Sequence, residues 1–447
     1  MGRLIIVSNR VPSPHERVQP AGGLTVGLAD VVRGVESLWF GWSGQHTEEA
    51  VAQEVTCETV AGVTYATIDL TSAQHERYYE HFSNDLIWPL FHYRPGIITY
   101  HRQDLAAYYG VNDLFADRLA PLLRRDDTIW VHDYHLIPLG QALRARGVAG
   151  KIGFFLHIPC PPWSVMRVLP CAEELLRAMV AYDLIGVQTE EDARNLGECY
   201  EVMGMDRTVR AFPIGIDPRG FEQEAKDNFG DPEVRRLRES LRGRKLIIGV
   251  DRLDYSKGLL ERLHGYEALL KRFPEHLRGV VFVQIAPPSR EGVANYQALR
   301  RELDELVGFI NGKHADFDWT PIRYLTQPVP RHLLAAFHRL ADVALVTPLR
   351  DGMNLVAKEF VAAQDDADPG VLILSHFAGA APDMPEALLV NPYDTDEIAD
   401  ALHQALTMSL VARQNRWRAL RAEVGLNTAA EWAKRFLSTL EASAPSS

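Results

Sequence analysis

Cysteine is scarce in this chain: four in 447 residues, Cys57, Cys160, Cys171 and Cys199. No CxxC pair occurs, and the density is far below that of a secreted disulfide scaffold, so free thiols in a reducing compartment are expected. Long apolar stretches are missing too, since no run approaches the roughly 20 residues that span a bilayer. The opening Leu4-Ile5-Ile6-Val7 gives way at once to Ser8-Asn9-Arg10, too soon for a secretory signal. A cytoplasmic location is the expectation. Positive charge is also in deficit: 47 Lys and Arg against 59 Asp and Glu leave a formal charge of -12. That balance argues against a nucleic-acid binder or a membrane-surface protein, both of which need a basic face. An anionic ligand must then be met by a local cluster of cations. Internal repeats and low-complexity blocks are absent as well.

What is present is apolar residue, 47% of the chain, in a length beyond that at which a single core stops growing. Two domains are expected. Short β-rich runs recur at 4–8, 63–68, 128–131, 152–156, 184–187, 246–250, 280–285, 343–346 and 371–374, with helical patterns between them. Continuous apolar strands alternating with helices indicate parallel sheets buried on both faces. The expected class is α/β, with two doubly wound Rossmann-like domains facing each other across a cleft. The Pro-, Gly- and charge-rich stretch 215–236 reads as a linker. It sets the first domain at 1–218 and the second at 236–428. The segment 429–447 carries a helical pattern over 429–441, free to pack back on the first domain.

Ligands of open parallel sheets sit beyond the carboxyl ends of strands, and the chemistry-bearing residues cluster there. Arg10 ends the first strand, and Gly22-Gly23 follow at the entry to a helical run, where backbone N–H groups can approach a phosphate. A Gly-Gly turn by itself also serves ordinary helix entry. The strand 246–250 runs into Asp251-Arg252-Leu253-Asp254-Tyr255-Ser256-Lys257-Gly258. There Arg252 and Lys257 offer a guanidinium and an ammonium to a diphosphate, against the plainer reading that Arg252 pairs with a neighbouring aspartate. The strand 343–346 runs into Arg350-Asp351-Gly352-Met353-Asn354 and a helix expected to begin near Met353. Its N-terminal amides would face a sugar or phosphate, with Glu359 two turns on and within reach of ribose hydroxyls. Asp351 also fits a plain helix cap.

Asp133 stands between His132 and His135, but no third cluster of ligating residues has matching spacing, so Asp133 reads as an acceptor for sugar hydroxyls and no metal is expected. The aromatic stretch 78–88, with Tyr79 and Trp88, is either a buried helix or a sugar-stacking wall. Asp394-Thr395-Asp396 has the form of a metal-binding pair, yet Glu397 and a helical pattern follow, the logic of a helix start. Arg290 is either a phosphate clamp across the cleft or a solvated arginine.

Ser8-Asn9-Arg10, Gly22-Gly23-Leu24, Trp39-Phe40-Gly41-Trp42, Trp130 to His135, Asp251 to Gly258 and Arg350 to Glu359 occur in that order. Together they resemble the trehalose-6-phosphate synthase family over nearly the whole chain. The resemblance implies a retaining, metal-independent glycosyltransferase that joins UDP-glucose to glucose 6-phosphate without a cofactor. It implies that Gly22, Gly23, Arg252, Lys257 and the run Leu355, Val356, Ala357, Lys358, Glu359 hold the nucleotide sugar. Asp351 and the following Gly352, Met353 and Asn354 would bind the donor glucose. Arg10, Tyr79, Asp133 and Arg290 would hold the acceptor, and Trp88 and His157 would shape anomeric selectivity. The family usually has Phe-Pro after His157-Ile158-Pro159, where this chain has Cys160-Pro161-Pro162-Trp163. Another phosphorylated acceptor, an ADP- or GDP-linked donor, and a non-catalytic sugar-phosphate sensor stay open at this stage, as does a homo-oligomer.

Overall fold

The computed structural model describes residues 2–13, 28, 36–48, 54–290 and 292–443. The chain divides into two compact units: one runs to Pro213 and takes the chain back from Ala430, and the other holds Ile214–Ala429.

Among the described residues, the first unit has eight strands: β1 (Leu4–Arg10), β2 (Ser37–Thr47), β3 (Thr56–Val60), β4 (Val63–Thr71), β5 (Thr128–His132), β6 (Lys151–Phe155), β7 (Leu184–Val187) and β8 (Val209–Ala211). Their order is β3-β4-β2-β1-β5-β6-β7-β8. Every pairing is parallel except that of the exposed edge strand β3 with β4. The order reverses at β1, which lies between β2 and β5, so the loops after β1 and β5 flank a topological switch point, the place where such sheets bind ligands.

The second unit has six: β9 (Lys245–Val250), β10 (Val280–Ile285), β11 (Ile322–Leu325), β12 (Val343–Val346), β13 (Val371–Ser375) and β14 (Leu388–Val390), in the order β11-β10-β9-β12-β13-β14, all parallel. Here the switch lies between β9 and β12. The apolar runs Leu246–Val250 and Val343–Val346 are buried throughout because helices cover both faces.

The stretch 215–236 departs from the expected linker. It begins two helices of the second unit, Pro218–Asp227 and Pro232–Leu241. Its Asp-Pro pairs are helix starts: Asp217 and Asp231 cap the first-turn amides, and each proline takes the first helical position, where no N–H is needed. The last helix, Ala429–Ala442, buries Trp432, Phe436 and Leu440 in the first unit. The Phe436 ring lies 4.7 Å from that of Trp130, nearly parallel, over Gly153 and Gly186, where a Cβ would come within 2.7 Å of it. Among the described residues no helix is long and apolar enough to cross a membrane.

Candidate functional site

At the carboxyl end of β9 the chain turns through 251–254 into a short helical turn, Tyr255–Lys257, and then into the helix Leu259–Arg272. Gly258 joins the two at φ +63°, and a Cβ there would lie 2.1 Å from the Thr347 carbonyl, so the β9 and β12 loops touch backbone to backbone. Asp254, fully buried, holds the turn: Oδ1 accepts from the Ser256 amide and hydroxyl at 3.0 and 2.9 Å. Its other oxygen meets Arg290 at 3.2 Å, Tyr296 Oη at 3.1 Å and Arg252 at 3.5 Å. Two arginines from different loops thus converge on one carboxylate. Lys257 Nζ lies 2.5 Å from Asp351 Oδ2 at the head of the β12 loop, both side chains 14% exposed.

Beneath this surface lies a residue the sequence reading did not single out. Arg262 is fully buried and reaches the Asp251 carboxylate at 2.7 Å, Thr347 Oγ1 at 3.0 Å, Gln284 Oε1 at 3.0 Å and the Lys257 carbonyl at 3.3 Å. One guanidinium therefore ties together the ends of β9, β10 and β12. Burial pushes the Asp251 carboxyl up, opposed by Arg262 and Lys257.

The helix after β12 starts at Leu355 rather than near Met353, and its cap is Asn354 rather than Asp351. Asn354 adopts φ +81°, accepts from the Ala357 amide at 3.2 Å and donates to Asp351 Oδ2 at 3.1 Å. Asp351 is instead fixed by backbone bonds to Phe377 and Gly379 and by Lys257. Lys358 is buried and donates to the Ile214 carbonyl at 2.8 Å, which makes it an internal tie of this unit. Glu359 on the same helix is pushed up by burial to about 7, with Arg331 opposing and Glu224 reinforcing. A folded pKa above the unfolded one means that the native state binds more protons. The Glu359 contribution to stability is therefore full below its ordinary range and is lost as pH rises through about 7. The melting temperature of Glu359→Gln, measured from pH 5 to 8 beside the parent, should lack that part of the decline. Parallel curves would count against the shift.

In the first unit, Arg10 sits exposed at the end of β1, beside Gly44. Ser8 and Asn9 are held by Trp39 and Tyr78 through bonds of 2.8 and 2.9 Å. Asp133, after β5, takes φ +77° and accepts from the His157 amide at 3.2 Å, which joins the β5 and β6 ends. The stretch 75–87 is a wide helix that buries Tyr78 and Phe82, while Tyr79 stays half-buried and stacks on His135 at 5.5 Å. Trp88 is buried against His92, ring to ring at 4.1 Å.

His157 is wired at both ring nitrogens: Gln188 Nε2 donates to Nδ1 at 3.3 Å, and Nε2 meets His132 Nδ1 at 3.1 Å. An amide N–H can only donate, so His157 carries its proton on Nε2 and gives it to His132. Burial pulls its pKa down to about 3. Beside it, the departing loop is anchored by Asp192, which accepts from the Cys160 amide at 2.7 Å, and by Asn195, which donates to the Cys160 carbonyl at 2.8 Å.

Residues 3–442 match glycosyltransferase family 20. The chain belongs to this family. It is 44% identical to the trehalose-6-phosphate synthase of Enterobacter sp. (strain 638), over 100% of this chain and 97% of that protein. Among solved structures it is similar to an alpha,alpha-trehalose-phosphate synthase (UDP-forming) from Burkholderia xenovorans in complex with glucose-6-phosphate, at 45% identity and TM-score 0.95 over 98% of this chain and 100% of that one. It is also similar to the trehalose-6-phosphate protein from E. coli bound with UDP-2-fluoro glucose, at 44% identity and TM-score 0.94 over 99% of this chain and 100% of that one. As a member of family 20, the chain is a hexosyltransferase with the two-sheet α/β architecture read from its sequence.

Within the second unit of this family 20 chain, Arg252, Lys257, Arg290, Asp351 and Asn354 share the β9, β10 and β12 loops. Arg10, Asp133 and His157 share the β1, β5 and β6 ends of the first. Gly22 and Gly23 lie outside the described residues. Asp394 caps the helix Thr395–Thr407 through the amides of Asp396 and Glu397, as a helix start and not a metal pair. The Asn354 cap, Arg262, and the Gln188–His157–His132 chain had no sequence signal beyond residue type.

Proposed function

We propose that this chain transfers glucose from UDP-glucose to glucose 6-phosphate, with retention, giving α,α-trehalose 6-phosphate and UDP. The observation that carries the reading is the cation pair Arg252 and Lys257 at the switch point of the second sheet, each resting on a carboxylate that a diphosphate can replace. Gly22, Gly23 and the run Leu355, Val356, Ala357, Lys358 and Glu359 are assigned to the nucleotide, and Asp351 with Gly352, Met353 and Asn354 to the donor glucose. Arg10, Tyr79, Asp133 and Arg290 are assigned to the acceptor. Trp88 and His157 shape the selectivity for one anomer.

The chemistry follows from charge. As the glycosidic bond to UDP breaks, negative charge grows on the β-phosphate, and preformed cations stabilise it more than the ground state. The same phosphate oxygen then takes the acceptor's proton on the face it leaves. A side-chain base is not required, and His157 is a poor one, held neutral with both nitrogens engaged. Because Arg252 and Lys257 neutralise the leaving group, the reaction is assigned no metal. The cysteines are all free thiols, Cys57 exposed and the others buried, which supports a cytoplasmic site of action.

The test incubates the protein with UDP-glucose and glucose 6-phosphate and follows UDP release and product stereochemistry by NMR. The expected outcome is an α,α-linked phosphorylated disaccharide at a rate unchanged by EDTA. No product with these two substrates, or a β linkage, sinks the proposal.

A further inference from the structure

Glu275, His276 and His403 gather in the second unit at the end of the sheet opposite to the donor loops. Glu275 and His276 belong to the turn Pro274–His276 that leads into β10, and His403 to the helix Thr395–Thr407. That helix ends at the strands' amino edge: Lys245, the first residue of β9, donates to the Leu406 carbonyl at 2.6 Å.

We propose that this trio is a binding site for a divalent transition metal of the zinc class. One ligand atom from each residue lies within 4.8 Å of the other two, and no other such group occurs among the described residues. His276 Nε2 is 3.0 Å from His403 Nδ1, and Glu275 Oε1 is 3.6 Å from that same nitrogen. Ligands at about 2.0–2.2 Å from a tetrahedral zinc lie about 3.3–3.6 Å apart, so small side-chain adjustments seat the ion. The aim is already set: the His403 ring lies flat on Phe273, centroids 4.0 Å apart and 11° between planes, and His276 is buried. Two imidazoles and one carboxylate suit zinc, nickel or copper far better than magnesium. The fourth position stays open to water through the exposed side of Glu275 and His403.

Arg272 is occupied by Asp396 and Asp400. Without metal the two rings share one hydrogen bond. On binding, that proton moves to the donor ring's other nitrogen, so a neutral pair coordinates with no net proton release. The ion would staple the 274–276 turn to the 395–407 helix.

The experiment uses full-length protein stripped with a chelator and desalted, then titrated with Zn²⁺ against a chromophoric competitor, with Mg²⁺ as control. Parent protein should take up one equivalent of Zn²⁺, melt several degrees higher for it, and ignore Mg²⁺. His403→Ala and Glu275→Gln should each weaken that binding at least tenfold while glucosyl transfer is unchanged, which shows both variants folded. Equal Zn²⁺ affinity in parent and both variants would place the ion on other histidines and overturn the site. Absence of binding to the parent would do the same.

Discussion

Alanine in place of Lys257 should lower kcat by roughly 10²–10³-fold, the usual loss when one preorganised group facing transition-state charge is removed. At rest the ammonium sits 2.5 Å from Asp351. Its loss has two effects: the departing phosphate loses a counter-charge, and the Asp351 carboxylate is left anionic beside the place assigned to that phosphate. The second effect raises the KM for UDP-glucose as well. Adding Asp351→Asn removes that anion together with a group assigned to the donor glucose, so the double variant should recover none of kcat. The fold should survive, since Asp351 keeps Asn354 and its backbone bonds. Steady-state UDP release at saturating acceptor is the measurement. A kcat within about threefold of the parent would remove the leaving-group role from this residue.

The largest loss of stability should come from Arg262→Met. Arg262 is fully buried against Asp251, whose carboxyl is nearly as inaccessible. Removing one partner of a buried pair leaves an uncompensated charge and costs about 3–5 kcal/mol. In a unit of this size that lowers the melting temperature by roughly 6–20 °C. Calorimetry of the whole chain reads it. Asp251→Asn in the same background should return part of the loss, because the orphaned charge is then gone. A drop under about 2 °C would mean that water reaches the pair and that it does not hold the three strand ends together.

These two residues mark what could and could not be read in the sequence. Lys257 was legible because a continuous apolar strand ends just before its loop, and position after a strand is itself the signal. The strands 184–187, 280–285 and 343–346 were read with the same ends for that reason. Arg262 was not, since one arginine within an amphipathic helix reads as surface, and its partners Asp251, Gln284 and Thr347 lie far apart in the chain. β3 was missed because it is exposed on both faces, β8 and β11 because Arg210 and Arg323 break their apolar runs, and β14 because it has only three residues. β2 was seen as the motif Trp39-Phe40-Gly41-Trp42 and not as a strand, because polar residues fill its second half. The 215–236 stretch misled because Asp-Pro marks helix starts as readily as breaks. His157 was readable at its strand end, but its wiring to His132 and Gln188 joins three strand ends, which only the folded sheet brings side by side.

The return of the last helix to the first unit has a consequence for synthesis. Phe436 and Leu440 complete the hydrophobic floor under Gly153, and Phe436 that under Gly186, yet they are translated more than two hundred residues after the strands they cover. At about 5–20 residues per second, the nascent amino-terminal half waits roughly ten to fifty seconds with that floor open. Ribosome-bound chains stalled before Ala430 should therefore be protease-sensitive around β6 and β7, and release of the completed chain should close them.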